Sequence, residues 1–279
     1  MDNVKIIEKK ALDLALECGK ILMDQWDKVE ICHYKKNFDF CTNLDIQIEK
    51  HILNRLKKYY PTWNYLAEES GWHDQKSEYT WIIDPLDGTK NYERRLPIFN
   101  TTMALKRKNE IIFGVVYSPA THEIFHAIKG QGAFRAKTSS SHSYKKNTKK
   151  PLKISQQKNL KKTIIHFDIP RMYKTKQFHP EVMIRALALK THLLRSIGSG
   201  ALGLAYTAQG SFDAFFDLHG MGGLWDVAAG FLLIQEAGGI ITDFDGNIWK
   251  PGIKGTIAAN PKIHGQILKI IREYRIHQK

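Results

Sequence analysis

Apolar residues recur at helical spacing from the start of the chain. Ile7, Ala11, Leu14, Ala15, Cys18, Ile21 and Leu22 form one stripe, which predicts a helix over 4–25. Residues 28–42 are polar and show no period, so they read as irregular. A second stripe of Ile46, Ile48, Ile52, Leu53 and Leu56 predicts a helix running to about Tyr60, with Thr42 as its N-cap and Pro61 as its stop. The middle of the chain reads as strands at 80–84, 98–106, 111–117 and 123–127, with a hairpin turn at Lys108-Asn109. Later, strand-like runs at 163–168, 192–196, 213–217 and 240–243 alternate with helical stretches at 181–189, 199–209, 226–236 and 261–273. That alternation indicates α/β architecture.

Composition changes this picture little. The chain has 279 residues, 43% hydrophobic and 25% charged, which suits one large domain or two halves sharing a core. No apolar run approaches a membrane span. Residues 1–25 carry acids throughout and lack a signal peptide's apolar core, so a cytoplasmic protein is expected. Cys18, Cys32 and Cys41 show no metal-ligand spacing and read as reduced thiols. His122, His126 and His166 alternate with apolar residues and read as surface or strand-face positions rather than ligands.

Charge adds one open question. The net charge of +14 fits a nucleic-acid partner, a lysine-rich surface or anionic substrates. It is concentrated between Arg135 and Lys153, where seven Lys/Arg and no acid surround the polar run Thr138-Ser139-Ser140-Ser141. This segment reads as a solvated, mobile loop. With Tyr144 its only aromatic, it offers no stacking platform for bases. The stretch 137–150 is either a seam between two halves or a long hairpin excursion.

The candidate chemistry lies in four groups of acids. In Trp81-Ile82-Ile83-Asp84-Pro85-Leu86-Asp87-Gly88-Thr89 an apolar run ends in two acids separated by a proline turn, and a Gly-Thr pair then opens a helix. Two carboxylates this close repel unless a divalent ion lies between them, and open helix amides hold phosphate oxygens. Glu68-Glu69 follow the short apolar run Tyr65-Leu66-Ala67 and reach the same edge. Asp226, in Trp225-Asp226-Val227-Ala228-Ala229-Gly230, fits a helix N-cap and can offer its second oxygen to a cation. Asp45 falls in the first turn of the second helix, where nothing local separates it from Asp39 or Glu49. Together these point to metal-assisted hydrolysis of a phosphate ester.

With Ala67-Glu68-Glu69-Ser70, Asp84 to Tyr92, Arg195-Ser196-Ile197-Gly198-Ser199 and Trp225 to Gly230 in this order, the chain resembles the inositol monophosphatase family of Mg²⁺-dependent, lithium-sensitive phosphatases over nearly its whole length. The resemblance implies an α/β (α+β) fold, a layered α-β-α-β-α sandwich, assembled as a homodimer. The seam read at 137–150 then leaves a half at 1–140 expected to carry the metal and phosphate site and a half at 141–279 expected to complete it. The resemblance places Glu68, Asp84, the Leu86 carbonyl, Asp87 and Asp226 as Mg²⁺ ligands. Asp45 and Thr89 match the pair that orients and deprotonates the attacking water, supported by Glu69. Gly88, Thr89, Gly198, Ser199 and Asp217 match substrate-binding positions.

The departures bear on substrate. Asp217, in Asp213-Ala214-Phe215-Phe216-Asp217, stands where many inositol phosphatases carry Glu, and is about 1.5 Å shorter in reach. His219-Gly220-Met221-Gly222-Gly223 is glycine-rich, and Tyr92 in place of a common Phe is expected to add a hydroxyl near the site. The expected substrate is inositol monophosphate or a similar sugar phosphate. Fructose 1,6-bisphosphate, histidinol phosphate and 3′-phosphoadenosine 5′-phosphate are alternatives, as is a binding role in a transcription complex through its proteins or RNA.

Overall fold

The computed structural model describes residues 2–35, 40–139, 142–168, 180–217, 223–251, 253 and 255–276. The chain opens with α1 (Asp2–Asp24), the short strands β1 (Ile31–Tyr34) and β2 (Phe40–Thr42), and α2 (Asn43–Tyr59). Residues 28–42, expected to be irregular, thus contain an antiparallel hairpin. Strands of three and four residues are too short for a period to show. Next come β3 (Asn64–Ala67), β4 (Gly71–His73), β5 (Tyr79–Asp87), α3 (Thr89–Glu93), β6 (Asn100–Arg107), β7 (Glu110–Ser118), β8 (Glu123–Ile128), β9 (Ala133–Lys137) and β10 (Lys150–Pro151). The chain continues with β11 (Ile164–Asp168), α4 (Pro180–Ala188), β12 (Leu193–Arg195), α5 (Gly200–Ala208) and β13 (Ala214–Asp217). It closes with α6 (Leu224–Glu236), β14 (Ile240–Asp243), β15 (Thr256–Ala259) and α7 (Pro261–Ile276).

Two large sheets organise these elements. The first has the order β10-β9-β8-β7-β6-β5-β3-β4, and the second β12-β11-β13-β15-β14. In the first, only β3 and β5 run parallel, and the other neighbours are antiparallel. In the second, β12, β11 and β13 are parallel while β15 inserts antiparallel between β13 and β14. The amphipathic stripes of α1 and α2 pack on one face of the first sheet around Trp81, Phe113 and Tyr117. The α5 and α6 helices are buried between the sheets, their Leu202, Leu204, Phe231 and Leu233 packing with Phe125 on one side and Phe215 on the other. Helices α4 and α7 cover the outer face of the second sheet. The result is the layered α-β-α-β-α sandwich. The all-round apolar sequences of α5 and α6 follow from their place in the middle layer.

Among its described residues, the basic stretch 135–153, expected as a loop, is anchored at both ends to the first sheet. Its start is β9 and its end is β10, which pair antiparallel at the sheet edge. Arg135 and Lys137 each lie 3.2 Å from Glu123. Lys149 stands 3.9 Å over the Phe134 ring, and Thr138 bridges to Tyr144. Composition records the charge of such a segment but not the pairing that sets Glu123 of β8 beside it. Two of the three histidines also depart from the surface alternative. His126 and His166 are buried strand-face residues, on β8 and β11. His126 Nδ1 is 2.8 Å from Glu8, while His166 stacks on Phe215 and accepts from the Ile197 N–H at 3.3 Å.

Candidate active site

Asp84 and Asp87 are brought to one side by a defect in a strand. Residues three apart on a regular strand point to opposite faces. Here β5 does not end at Asp84, as the sequence suggests, but runs through Pro85 to Asp87. Against β6, Asp84 pairs with Thr102 and Asp87 with Asn100, so three steps on one strand match two on the other. That extra residue is a β-bulge, which turns the odd spacing into a shared face. Proline is tolerated there because a bulge leaves one N–H unpaired. The Thr101 hydroxyl donates to the Pro85 carbonyl at 2.9 Å, and the Leu86 N–H donates to Asp84 Oδ1 at 2.9 Å.

Helix starts bring in the other groups. Asp226 is the third residue of α6, not its cap, and it accepts from the Gly223 N–H at 2.6 Å. Asp45 is likewise the third residue of α2, accepting from the Thr42 N–H at 2.8 Å and from the Thr42 hydroxyl. Gly88 caps α3 at φ +87, and a Cβ there would stand 2.7 Å from the Ile98 carbonyl, so only glycine fits. Asp87 accepts from the Gly200 and Ala201 N–H groups at 3.3 and 3.0 Å, at the start of α5. The N-termini of α2, α3, α5 and α6 therefore converge on the acids, and their partial positive charge favours anions.

These placements make a hollow lined by oxygen. Ligand atoms of Asp84, Asp87 and Asp226 lie within 4.8 Å of one another. Glu68 follows β3, the parallel neighbour of β5, and its N–H donates to the Ile83 carbonyl at 3.2 Å. It is close enough to Asp84 for the two carboxyl groups to share a hydrogen bond. The Leu86 carbonyl accepts from the Thr89 hydroxyl at 2.9 Å, and that hydroxyl also lies 3.1 Å from Asp45 Oδ1. Asp217, at the end of β13, is near enough to Asp226 to raise its proton affinity.

The hollow is electrostatically unbalanced. Burial, then repulsion from Glu68, Asp87 and Asp226, holds Asp84 well above the usual carboxylate range. Burial and Glu68 do the same to Asp226. Burial also raises Asp87, against the pull of its Ser199 and Asn100 hydrogen bonds, and pushes Asp45 up to about 7 against those of Thr42. One cation reaches this cluster among the described ion pairs: Lys35 Nζ lies 2.9 Å from Glu68 and 2.5 Å from Glu69. Even so, burial, helped by repulsion from Glu69, keeps Glu68 above its ordinary value despite Lys35. Carboxylates that oppose one another without enough countercharge, in an all-oxygen donor set, fit a hard divalent cation.

Other residues hold this arrangement: Ser199 is expected at a substrate-binding position, whereas Glu49, Asn91 and Asn100 carry no sequence signal for the bonds they make. Ser199 is buried and donates to Asp87 at 2.6 Å, and Asn100 donates to both Asp87 and Ser199, at 2.7 and 3.0 Å. Asn91 donates to the carbonyls of Ile98, Ile197 and Gly198, joining α3 to the loop before α5. Glu49 accepts from the Glu69 and Ser70 N–H groups at 2.7 and 2.8 Å and so fixes the turn that carries Glu68. The apolar spacing of α2 marks Glu49 only as one polar position among several. Tyr92 does not add a hydroxyl to the site as expected. Its hydroxyl donates to the Leu22 carbonyl at 2.7 Å, inside the core. His219 to Gly222 lie outside the described residues.

The molecule is a layered sandwich whose sheets and helix starts meet at an oxygen-lined hollow, and its relatives place it among the metal-dependent phosphatases. The inositol monophosphatase family profile matches residues 3–275, and the chain belongs to that family. A relative from Caulobacter vibrioides named inositol-1-monophosphatase is 34% identical over 275 residues, covering 96% of this chain and 99% of its own. A Salmonella typhimurium relative named Nus factor SuhB is 35% identical over 271 residues, covering 94% of each. The solved structure of extragenic suppressor protein SuhB from Bartonella henselae matches with a TM-score of 0.84 at 28% identity, over 96% of this chain and 99% of that one.

Proposed function

We propose that this phosphatase hydrolyses inositol monophosphate or a related sugar phosphate with Mg²⁺. The observation that carries the reading is the convergence of Asp84, Asp87 and Asp226 within 4.8 Å, beside Glu68, under four helix N-termini. Glu68, Asp84, the Leu86 carbonyl, Asp87 and Asp226 are the groups to hold the cation. When bound, Mg²⁺ supplies positive charge and Lewis acidity toward the phosphoryl oxygens and the water. The protein supplies the rest. The N–H groups of Gly88 and Thr89, at the start of α3, grip phosphate oxygens. Asp45, hydrogen-bonded to Thr89, orients the attacking water and takes its proton; its raised proton affinity suits a base working near neutral pH. Glu69 is a positioning residue, held by Glu49 through its backbone and by Lys35 at its carboxylate. Gly198 shapes the rim, Ser199 holds Asp87, and Asp217 faces the substrate hydroxyls. Lithium inhibition and a homodimer belong to the same reading.

Phosphate release from a panel of sugar phosphates, with and without Mg²⁺, tests it. Activity on inositol or sugar phosphates that disappears on chelation is expected. It should fall by orders of magnitude in Asp84→Asn and in Asp87→Asn. Near-normal turnover in both variants would show that the hollow is not the site. A second reading is supported by the net charge of +14 and by the relative named Nus factor SuhB. In it the chain also binds transcription proteins or RNA. Salt-sensitive binding that survives Asp84→Asn would favour that role.

A further inference from the structure

Beside the oxygen-lined hollow lies a donor set of different chemistry. His33 on β1 and Cys41 on β2 are register partners, so their side chains project from the same face of the hairpin. Glu69 reaches that face from the turn after β3, a turn fixed by Glu49. A ligand atom from each of His33, Cys41 and Glu69 lies within 4.8 Å of the other two. His33 is exposed, Cys41 is fully buried, and the Glu69 side chain keeps 10% of its surface. The sequence hides this set because His33 and Cys41 are eight positions apart on strands too short to show a period.

We propose that His33, Cys41 and Glu69 form a second metal site that binds Zn²⁺, with water as the fourth ligand. One nitrogen, one thiolate and one carboxylate suit a borderline-soft ion, whereas Mg²⁺ prefers oxygen alone. Ligand atoms around tetrahedral Zn²⁺ stand about 3.5 Å apart, so the set closes by at most about 1.3 Å. The exposed His33 ring can rotate to do this while Cys41 and Glu69 stay in place. The Cys41 thiol gives its proton to solvent as the sulfur–zinc bond forms.

Occupancy has a consequence, which rests on the phosphatase reading. Lys35 Nζ holds Glu69 at 2.5 Å and Glu68 at 2.9 Å. Zn²⁺ on Glu69 displaces that ammonium and sets two positive charges beside Glu68, so the ion slows turnover from next to the hollow rather than within it.

Cobalt as a spectroscopic stand-in for zinc tests the site on the full chain, with Mg²⁺ saturating. One equivalent should give a thiolate charge-transfer band and tetrahedral visible bands, both removed by Zn²⁺. The bands should vanish in Cys41→Ser and persist in Cys32→Ser, whose side chain is exposed on the hairpin. Because Cys41 is buried and its variant can fail to fold, His33→Gln on the exposed strand is the second arm, with at least tenfold weaker binding expected. Absence of the thiolate band, its survival in Cys41→Ser, or its loss in Cys32→Ser overturns the proposal. Zinc inhibition of phosphate release should also need at least tenfold more ion in His33→Gln, and equal sensitivity in the two proteins overturns the inhibitory role. The cobalt spectrum needs no turnover. A chain without phosphatase activity would therefore undo the earlier reading and leave this one standing.

Discussion

Asp45 and Asp226 each do two things with one carboxylate, because each sits third in its helix and reaches back to the backbone N–H before it. Asp84 has a backbone tie as well, to Leu86, but it also faces three other acids. Asp84→Asn should therefore separate function from stability. Turnover falls by orders of magnitude, while the metal-free protein gains about 1–2 kcal/mol, read as a higher Tm in chelator. The same variant should lose most of the Tm rise that Mg²⁺ gives the wild type. The direction of the pH response follows. A carboxyl whose folded pKa is raised favours folding while protonated. For Asp45 that contribution is complete below the ordinary value of 3.8 and is lost as pH rises through about 7. Metal-free Asp45→Asn should consequently gain in Tm over the wild type across that interval, and calorimetry at a series of pH values reads the difference. His166 works the other way. Burial pushes its pKa down to about 3 from 6.5, so its contribution is present above 6.5 and is lost as pH falls toward 3. The convergence of Asp84 and Asp87 was legible in the sequence because acids that end an apolar run have few explanations. Glu49, Asn91 and Asn100 were not, since their work is to hold backbone or side chains that are distant in sequence.

Two elements decide whether the site assembles. The first is the start of α2, where Thr42 and Asp45 make reciprocal bonds. Thr42→Ala should cost about 1 kcal/mol of stability. It should also lower kcat more than KM, because Asp45 loses the hydroxyl and the turn that aim it at Thr89. Steady-state kinetics beside thermal melts distinguish this from a purely structural loss. The second is α5, packed between the sheets. A Cβ at Gly203 would lie 2.5 Å from the His166 ring, which is itself stacked on Phe215. Gly203→Ala should destabilise by about 1–3 kcal/mol, seen as a lower denaturation midpoint. Helices with one apolar stripe were readable from spacing. Strands β1, β2, β9 and β10 were not, because two to five residues carry no period and their pairing depends on partners elsewhere. The bulge in β5 was also hidden: Pro85 suggested a stop, and only the register against β6 shows that the strand continues.

The whole molecule joins its layers through the hollow. Glu68, Asp84 and Asp87 come from the first sheet and its turns, Asp226 from a helix between the sheets, and Asp217 from the second sheet. Cation binding would therefore add a tie between parts that already meet through apolar packing and through the bonds of Asp87, Asn91 and Ser199. Saturation at 100 times Kd should stabilise the fold by about 2.7 kcal/mol, measurable as a Tm that climbs with Mg²⁺ concentration. The alternation of strands and helices made the α/β character legible. The eight-stranded order was not, since β3 joins β5 in parallel while β4, between them in sequence, goes to the sheet edge, and no local signal records that crossover. Nor did the sequence show β15, four residues lodged between β13 and β14. That position has a bearing on biosynthesis. While the chain is being made, β13 exposes a naked edge until residues 256–259 have left the ribosome, and β14 has nowhere to dock. The inner pair of helices must wait, half covered, for a strand translated late, which gives chaperones that shield unpaired edges their moment to act.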